Sequence, residues 1–115
     1  MVDTTKSRTQ LKLRAGKSLA LIEPGEALSP EDDATLDDLI DPLIAQLAAD
    51  QIVYIADSDA IDVELFLPLS RLLANAAGPD FGSPINLEAK QADERELRRL
   101  SAAKPTYEAL KVDYF

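Results

Sequence analysis

The residues best equipped for chemistry are the oxygen donors at Asp57-Ser58-Asp59, followed by Asp62 and Glu64. Carboxylates at this density suit a hard cation such as calcium. A helix–loop–helix calcium loop, however, needs glycine at its sixth position and glutamate at its twelfth. Counted from Asp57, those positions hold Asp62 and Pro68. Helix capping accounts for Asp57 and Asp59 equally well. Paired carboxylates can also act as acid and base, but among 21 Asp and Glu residues nothing singles out a pair. Histidine and cysteine are both absent, which removes the commonest general base, the thiolate nucleophile and the usual zinc ligands. The four glycines (Gly16, Gly25, Gly78 and Gly82) are scattered and build no phosphate-cradling loop. This pattern argues against an enzyme and implies neither a metal nor a cofactor.

Association is the chemistry that remains. Of six aromatic residues, Tyr107, Tyr114 and Phe115 fall within the last nine positions. Chain ends are ordinarily polar, because ordering them costs entropy for few contacts. Pro105 to Phe115 instead alternates apolar and polar groups, so it reads as an extended C-terminal arm over 105–115 appended to a helical domain over 1–104. The anchors are Tyr107, Leu110, Val112, Tyr114 and Phe115. Covering them removes about 700 Å² from water, on the order of 15 kcal/mol gross. Ordering the arm costs ~1–2 kcal/mol per residue, which leaves the balance near zero. A preformed groove on a neighbouring chain tips that balance by raising the effective concentration.

Net charge is −9, unevenly spread. Residues 1–20 carry five basic side chains against Asp3, residues 21–64 carry thirteen acidic ones and no basic one, and residues 65–115 carry seven of each. An acidic surface repels phosphates and argues against wrapping nucleic acid. One reading is a solvated acidic face. The sharper one sets the basic first helix of one copy against the acidic middle of the next, fixing register and partner choice. The residues placed at such an intersubunit contact are Lys12, Arg14, Lys17, Tyr54, Arg95, Arg98 and Arg99.

Hydrophobic spacing predicts a mostly α fold: a four-helix bundle with kinked helices, a short extended segment near 52–56, and the C-terminal arm. The first helix runs from about Ser7 to Ala20 on Leu11, Ala15, Leu19 and Ile22, and Gly16 within it suggests a close contact. The second starts at Ser29-Pro30, with Glu31-Asp32-Asp33 complementing its dipole. Its stripe continues to Leu47 through Pro42, which predicts a kink. Gln51 to Ala56 is β-like, either a buried connector or an edge that pairs with another chain. Asp57-Ser58-Asp59 caps a third helix from about Ala60 to Ala77, interrupted by Pro68 and stopped by Gly78-Pro79. Ser83-Pro84 opens the fourth, which runs to about Ala103 on few apolar anchors: Ile85, Ala89, Ala92, Leu97 and Leu100. The N-terminus lacks an apolar run, and no stretch approaches ~20 apolar residues. The expectation is a soluble protein made in the cytoplasm.

The order Thr9-Gln10-Leu11-Lys12-Leu13-Arg14, Ser29-Pro30-Glu31-Asp32, Leu36-Asp37-Asp38-Leu39, Leu67-Pro68-Leu69-Ser70-Arg71-Leu72-Leu73 and Gly78-Pro79-Asp80-Phe81-Gly82 resembles the tail accessory factors of tailed bacteriophages. These are also called packaged-DNA stabilisation or head-to-tail adaptor proteins. The resemblance spans about residues 7–100 and rests on order and spacing more than on any one motif. The short segment at 52–56 and the compact C-terminus depart from it. It implies a virion structural protein at the capsid vertex, a homo-oligomeric ring of commonly about twelve copies with cyclic symmetry. Such a ring closes or extends the DNA exit channel, binds the portal protein, and meets tail or nozzle proteins. DNA would pass without specific binding. The alternative is a small acidic binding or regulatory protein whose C-terminal segment folds onto a partner.

Overall fold

The structure is a computed structural model that describes residues 4–23 and 25–103. It is mostly helical. Four α-helices run in chain order: α1 Arg8–Ser18, α2 Pro30–Ala49, α3 Val63–Ala77 and α4 Leu87–Ala103. A two-stranded antiparallel sheet joins β1 (Thr5–Lys6) to β2 (Ile61–Asp62), and a single 3-10 turn covers Gly78–Phe81. The predicted arm, Pro105 to Phe115, lies outside the described residues.

The helix starts follow from local chemistry. At α1 the Ser7 hydroxyl accepts from the Gln10 N–H at 3.1 Å, and the Gln10 side-chain oxygen accepts from the Ser7 N–H at 2.8 Å. This reciprocal box satisfies two donors that a helix end leaves orphaned. At α2 the Ser29 hydroxyl accepts from the Asp32 N–H, with Pro30 at the first helical position and three acids in the first turn. Pro42 and Pro68 both lie inside continuous helices.

α1 and α2 end alike. The Leu21 N–H bonds Gly16 O and the Ala20 N–H bonds Lys17 O, while the Ile52 N–H bonds Leu47 O and the Gln51 N–H bonds Ala48 O. Both are paired 6→1 and 5→2 closures with a left-handed residue just past the helix. That residue is Ala20 (φ 59) in one and Gln51 (φ 58) in the other, where glycine would be unstrained. Gln51→Gly is therefore expected to raise stability by about 1 kcal/mol in urea denaturation, without moving either helix.

α3 is the centre of the molecule and packs against α1, α2 and α4. Leu69 and Leu73 are fully buried, with Leu11 and Ala15 from α1, Leu36, Ile40 and Leu47 from α2, and Leu97 from α4 around them. Gly16 packs against Leu28: a Cβ there would sit 2.7 Å from Leu28 Cδ2, so that flexible side chain would have to shift. Gly78 is held more strictly, since a Cβ would meet the backbone Ser83 O at 2.9 Å.

Four sequence expectations require correction. α3 begins at Val63, not Ala60, and Asp57 and Asp59 do not cap it. Its first N–H bonds Thr4 O at 3.0 Å, so the strand pairing does the work of a cap. α4 begins at Leu87, not at Ser83-Pro84. Asn86 caps it, its side-chain oxygen accepting from the Ala89 N–H. The Asn75 side chain holds the Asn86 backbone by both its N–H and its C=O. That clamp delays the helix start and leaves Ile85 outside it, 48% exposed rather than an anchor. Ile85 is the fourth. Of the two readings of 52–56, the connector agrees with the structure, which assigns no strand there. The sheet forms instead where the N-terminus meets the approach to α3.

Candidate interaction surface

The charge asymmetry is used first within the chain. Arg8, at the start of α1, donates from Nε to Asp37 at 2.7 Å, and from Nη1 to Asp41 at 2.9 Å and to Ser58 Oγ at 2.8 Å. Its Nη2 donates to the Asp37 backbone oxygen at 3.0 Å, and its backbone N–H reaches an Asp59 carboxylate oxygen at 3.1 Å. One guanidinium thus ties α1 to α2 and to the loop before β2. One turn along, Lys12 bridges Asp33 and Asp37. The Asp37 hydrogen bond, then that to Asp41, raises the Arg8 pKa above its ordinary value. Burial works to lower Lys12, but its bonds to Asp33 and Asp37 outweigh it and hold the ammonium above its usual value. Arg8, with Lys12 behind it, keeps the Asp37 carboxyl below the usual carboxylate range.

The structure divides the residues that the sequence assigned to an intersubunit contact. Lys12 is half-buried in its own ion pairs. Arg14 and Lys17 are exposed on α1. Tyr54 is 77% exposed. On α4, Arg95 is exposed, Arg98 lies with Nη2 3.5 Å from Asp50 O, and Arg99 pairs with Glu96 one turn back. That pairing raises Arg99 and lowers Glu96. Arg95, Arg98 and Arg99 lie between the middle and the C-terminal end of one helix, while Arg14 and Lys17 sit on another. Tyr107, Leu110, Val112, Tyr114 and Phe115 lie outside the described residues.

Two features take their shape only from the fold: one that sequence reasoning missed, and one, around Tyr54, that it named only as a candidate contact. The first is Arg71 on α3, whose Nε donates to Asp93 of α4 at 2.8 Å. The Asp93 side chain is 10% exposed and that of Arg71 is 52% exposed. The two truncations should therefore differ. Arg71→Ala strands a buried carboxylate and is expected to cost about 2 kcal/mol, whereas Asp93→Ala leaves a guanidinium in water and about half that loss. Paired urea titrations compare them, and equal costs would refute this account. The second is the surface around Tyr54. Depressions of about 240 and 260 Å³ meet at that ring, one lined by Ile55, Asp57, Asp62 and Leu65, the other by Ala48, Ile52, Val53 and Ser101. The β-branched run from Ile52 to Ile55 was the signal, but its free face could not be read without the fold.

Exposed apolar groups mark further surface: Val63 and Leu67 one turn apart on α3, Ile85 just before α4 and Leu87 at its start. Among the described residues no cluster of acidic side chains is placed to hold a metal ion, and no helix is long and apolar enough to cross a membrane. Compared with known proteins, the chain matches no protein-family model, no curated protein and no solved structure.

Proposed function

We propose that this chain is a structural adaptor that works by association: a head-to-tail connector of a tailed bacteriophage, assembled as a ring under the portal protein. The observation that carries the reading is the set of large apolar side chains left on the surface of so small a domain. Tyr54, Leu87, Leu67, Ile85 and Val63 are each more than 40% exposed. Large apolar side chains exposed in this number are available to protein–protein contact. The resemblance in helix order supports it, and so do Arg14, Lys17, Arg95 and Arg98, cations available to a neighbour's acidic face. In this reading the kinked helices form the ring wall, and Tyr107, Leu110, Val112, Tyr114 and Phe115 of the C-terminal arm grip the portal or a neighbouring subunit. Tail or nozzle proteins dock below. The acidic surface faces the channel without trapping DNA, and the protein resides in the virion neck.

Imaging the chain with portal protein tests this. A closed ring, lost together with portal binding on deletion of 105–115, is the expected result. Portal binding unchanged by that deletion would refute the arm. A one-to-one complex with a single soluble partner would replace the adaptor reading with that of a small acidic regulatory protein.

A further inference from the structure

Five cations of this chain are spent within it: Arg8, Lys12, Arg71, Lys90 and Arg99 each pair with a carboxylate. Two on α4 are not. Arg95 makes no hydrogen bond or ion pair among the described residues, and Arg98 reaches only the backbone oxygen of Asp50. Both are exposed, and with Ala92 they share one face of α4 at three-residue spacing. Acids outnumber bases by 21 to 12 in this chain, so two arginines on one helix face without a carboxylate are available to another chain.

A receiving site lies on the other side of the sequence's charge divide. Where the loop before α2 crosses α1 there is a hollow of about 260 Å³, lined by Thr9, Leu13, Glu26, Ala27, Leu28 and Asp33. Leu13 and Leu28 make part of it apolar. Glu26 and Asp33 give it carboxylates. Glu26 is exposed and uses only Oε1, which accepts the Glu23 N–H at 2.8 Å. The Asp33 side chain stays 45% exposed beside its pair with Lys12. Apolar and acidic lining together suit a side chain with an aliphatic stem and a cationic head. Arginine fits best, because its planar fork meets carboxylates with several donors at once. We infer that Arg95 of a second copy seats in this hollow, its stem on Leu13 and Leu28 and its guanidinium at Glu26 and Asp33, with Arg98 beside it against the same acidic stretch.

The giving and receiving surfaces are different, so the contact is head-to-tail, the kind that can close into a ring. It rests on the ring reading and names the contact between successive subunits. One exposed ion pair is weak. Closure holds each subunit from both sides and raises the effective concentration. Arg14 and Lys17 share α1 with Leu13, so they would serve a symmetric pairing instead, which the test separates.

Because the protein has no cysteine, single cysteines report the contact cleanly. Full chains carrying Ala27→Cys and Ala92→Cys are mixed and joined with a short bismaleimide. The mixed dimer is expected to exceed either like-with-like dimer at least fivefold. Adding Arg95→Glu and Arg98→Glu to the Ala92→Cys chain should lower its yield fivefold or more. Adding Glu26→Lys to the Ala27→Cys chain should then restore it to within about twofold, which also shows that both variants fold. A statistical mixture of the three dimers, or a mixed dimer indifferent to the charge reversals, would overturn the inference. So would loss without restoration, or a predominant Ala27→Cys dimer, the mark of symmetric pairing. A portal-bound ring lacking this cross-link overturns the inference and leaves the adaptor reading standing. The cross-link formed with no ring on the portal does the reverse.

Discussion

Arg8→Ala is expected to lower the unfolding free energy by about 2–3 kcal/mol, more than any other single charge removal in the protein. Hydrogen bonds to charged groups contribute roughly 1.5–3 kcal/mol where they are shielded. Arg8 makes four through its side chain while only 20% exposed. The total falls well short of their sum because Asp41 is 76% exposed and its pair is screened by solvent. Arg8→Lys should recover less than half the loss, since an ammonium is a point donor and cannot reach Asp37, Asp41 and Ser58 as a planar fork does. The pH dependence has a definite sign. The Asp37 carboxyl is held below its ordinary value chiefly by Arg8. Its stabilisation is therefore complete above the ordinary carboxylate range and fades as pH falls through the lowered value. The gap between wild type and Arg8→Ala should be full at neutral pH and shrink in acid. Urea midpoints measured at several pH values check this; a gap under about 0.5 kcal/mol at neutral pH would end the clamp account.

Leu97→Ala is expected to cost about 3 kcal/mol and to loosen α4 ahead of the rest. Leu97 is fully buried and, among the described residues, is the one α4 side chain in the buried hydrophobic core, with Leu100 packed partly against it. Truncating a fully buried leucine loses both transfer free energy and packing around the cavity. α4 is also held to α3 by Arg71 with Asp93 and by the Asn75 clamp on Asn86. Amide exchange should show α4 losing protection while α1, α2 and α3 keep theirs, as expected of a subglobal opening. Leu87→Ala, at 66% exposure on the same helix, is the control and should change stability by less than 0.5 kcal/mol. Loss of protection in α1 and α4 together would show that the helices open as one unit.

What the sequence disclosed, and what it hid, follows the range of the interactions. Ser29-Pro30 with its trailing acids was readable because every partner lies within one turn. The stripe Leu36, Ile40 and Leu47 was readable because helical spacing reports burial directly. Asp57-Ser58-Asp59 was misread as the cap of the next helix because its partner is 50 residues or so away in sequence. Ser58 accepts from the Arg8 side chain, and Asp59 from the first N–H of α1. Ser83-Pro84 looked like a helix start on local grounds and lost to Asn75, eleven residues back, which fixes Asn86 as the cap. The segregation of charge was plain, but composition cannot say whether opposite charges meet within a chain or between chains. For Arg8 and Lys12 they meet within it.

The central position of α3 also sets the order in which the protein can be completed during synthesis. α1 and α2 emerge first, and the pairs from Arg8 and Lys12 to Asp33, Asp37 and Asp41 can already draw them together. Their apolar stripes, led by Leu11, Leu36 and Ile40, have no cover until α3 arrives. Translation proceeds at roughly 5–20 residues per second, so the stretch from Ala49 to Ala77 leaves that greasy hairpin bare for about 1.5–6 seconds. In that interval the nascent chain is open to chaperones and to its siblings on the same polysome, and the speed at which the ribosome crosses this stretch bears directly on how much protein reaches the native state.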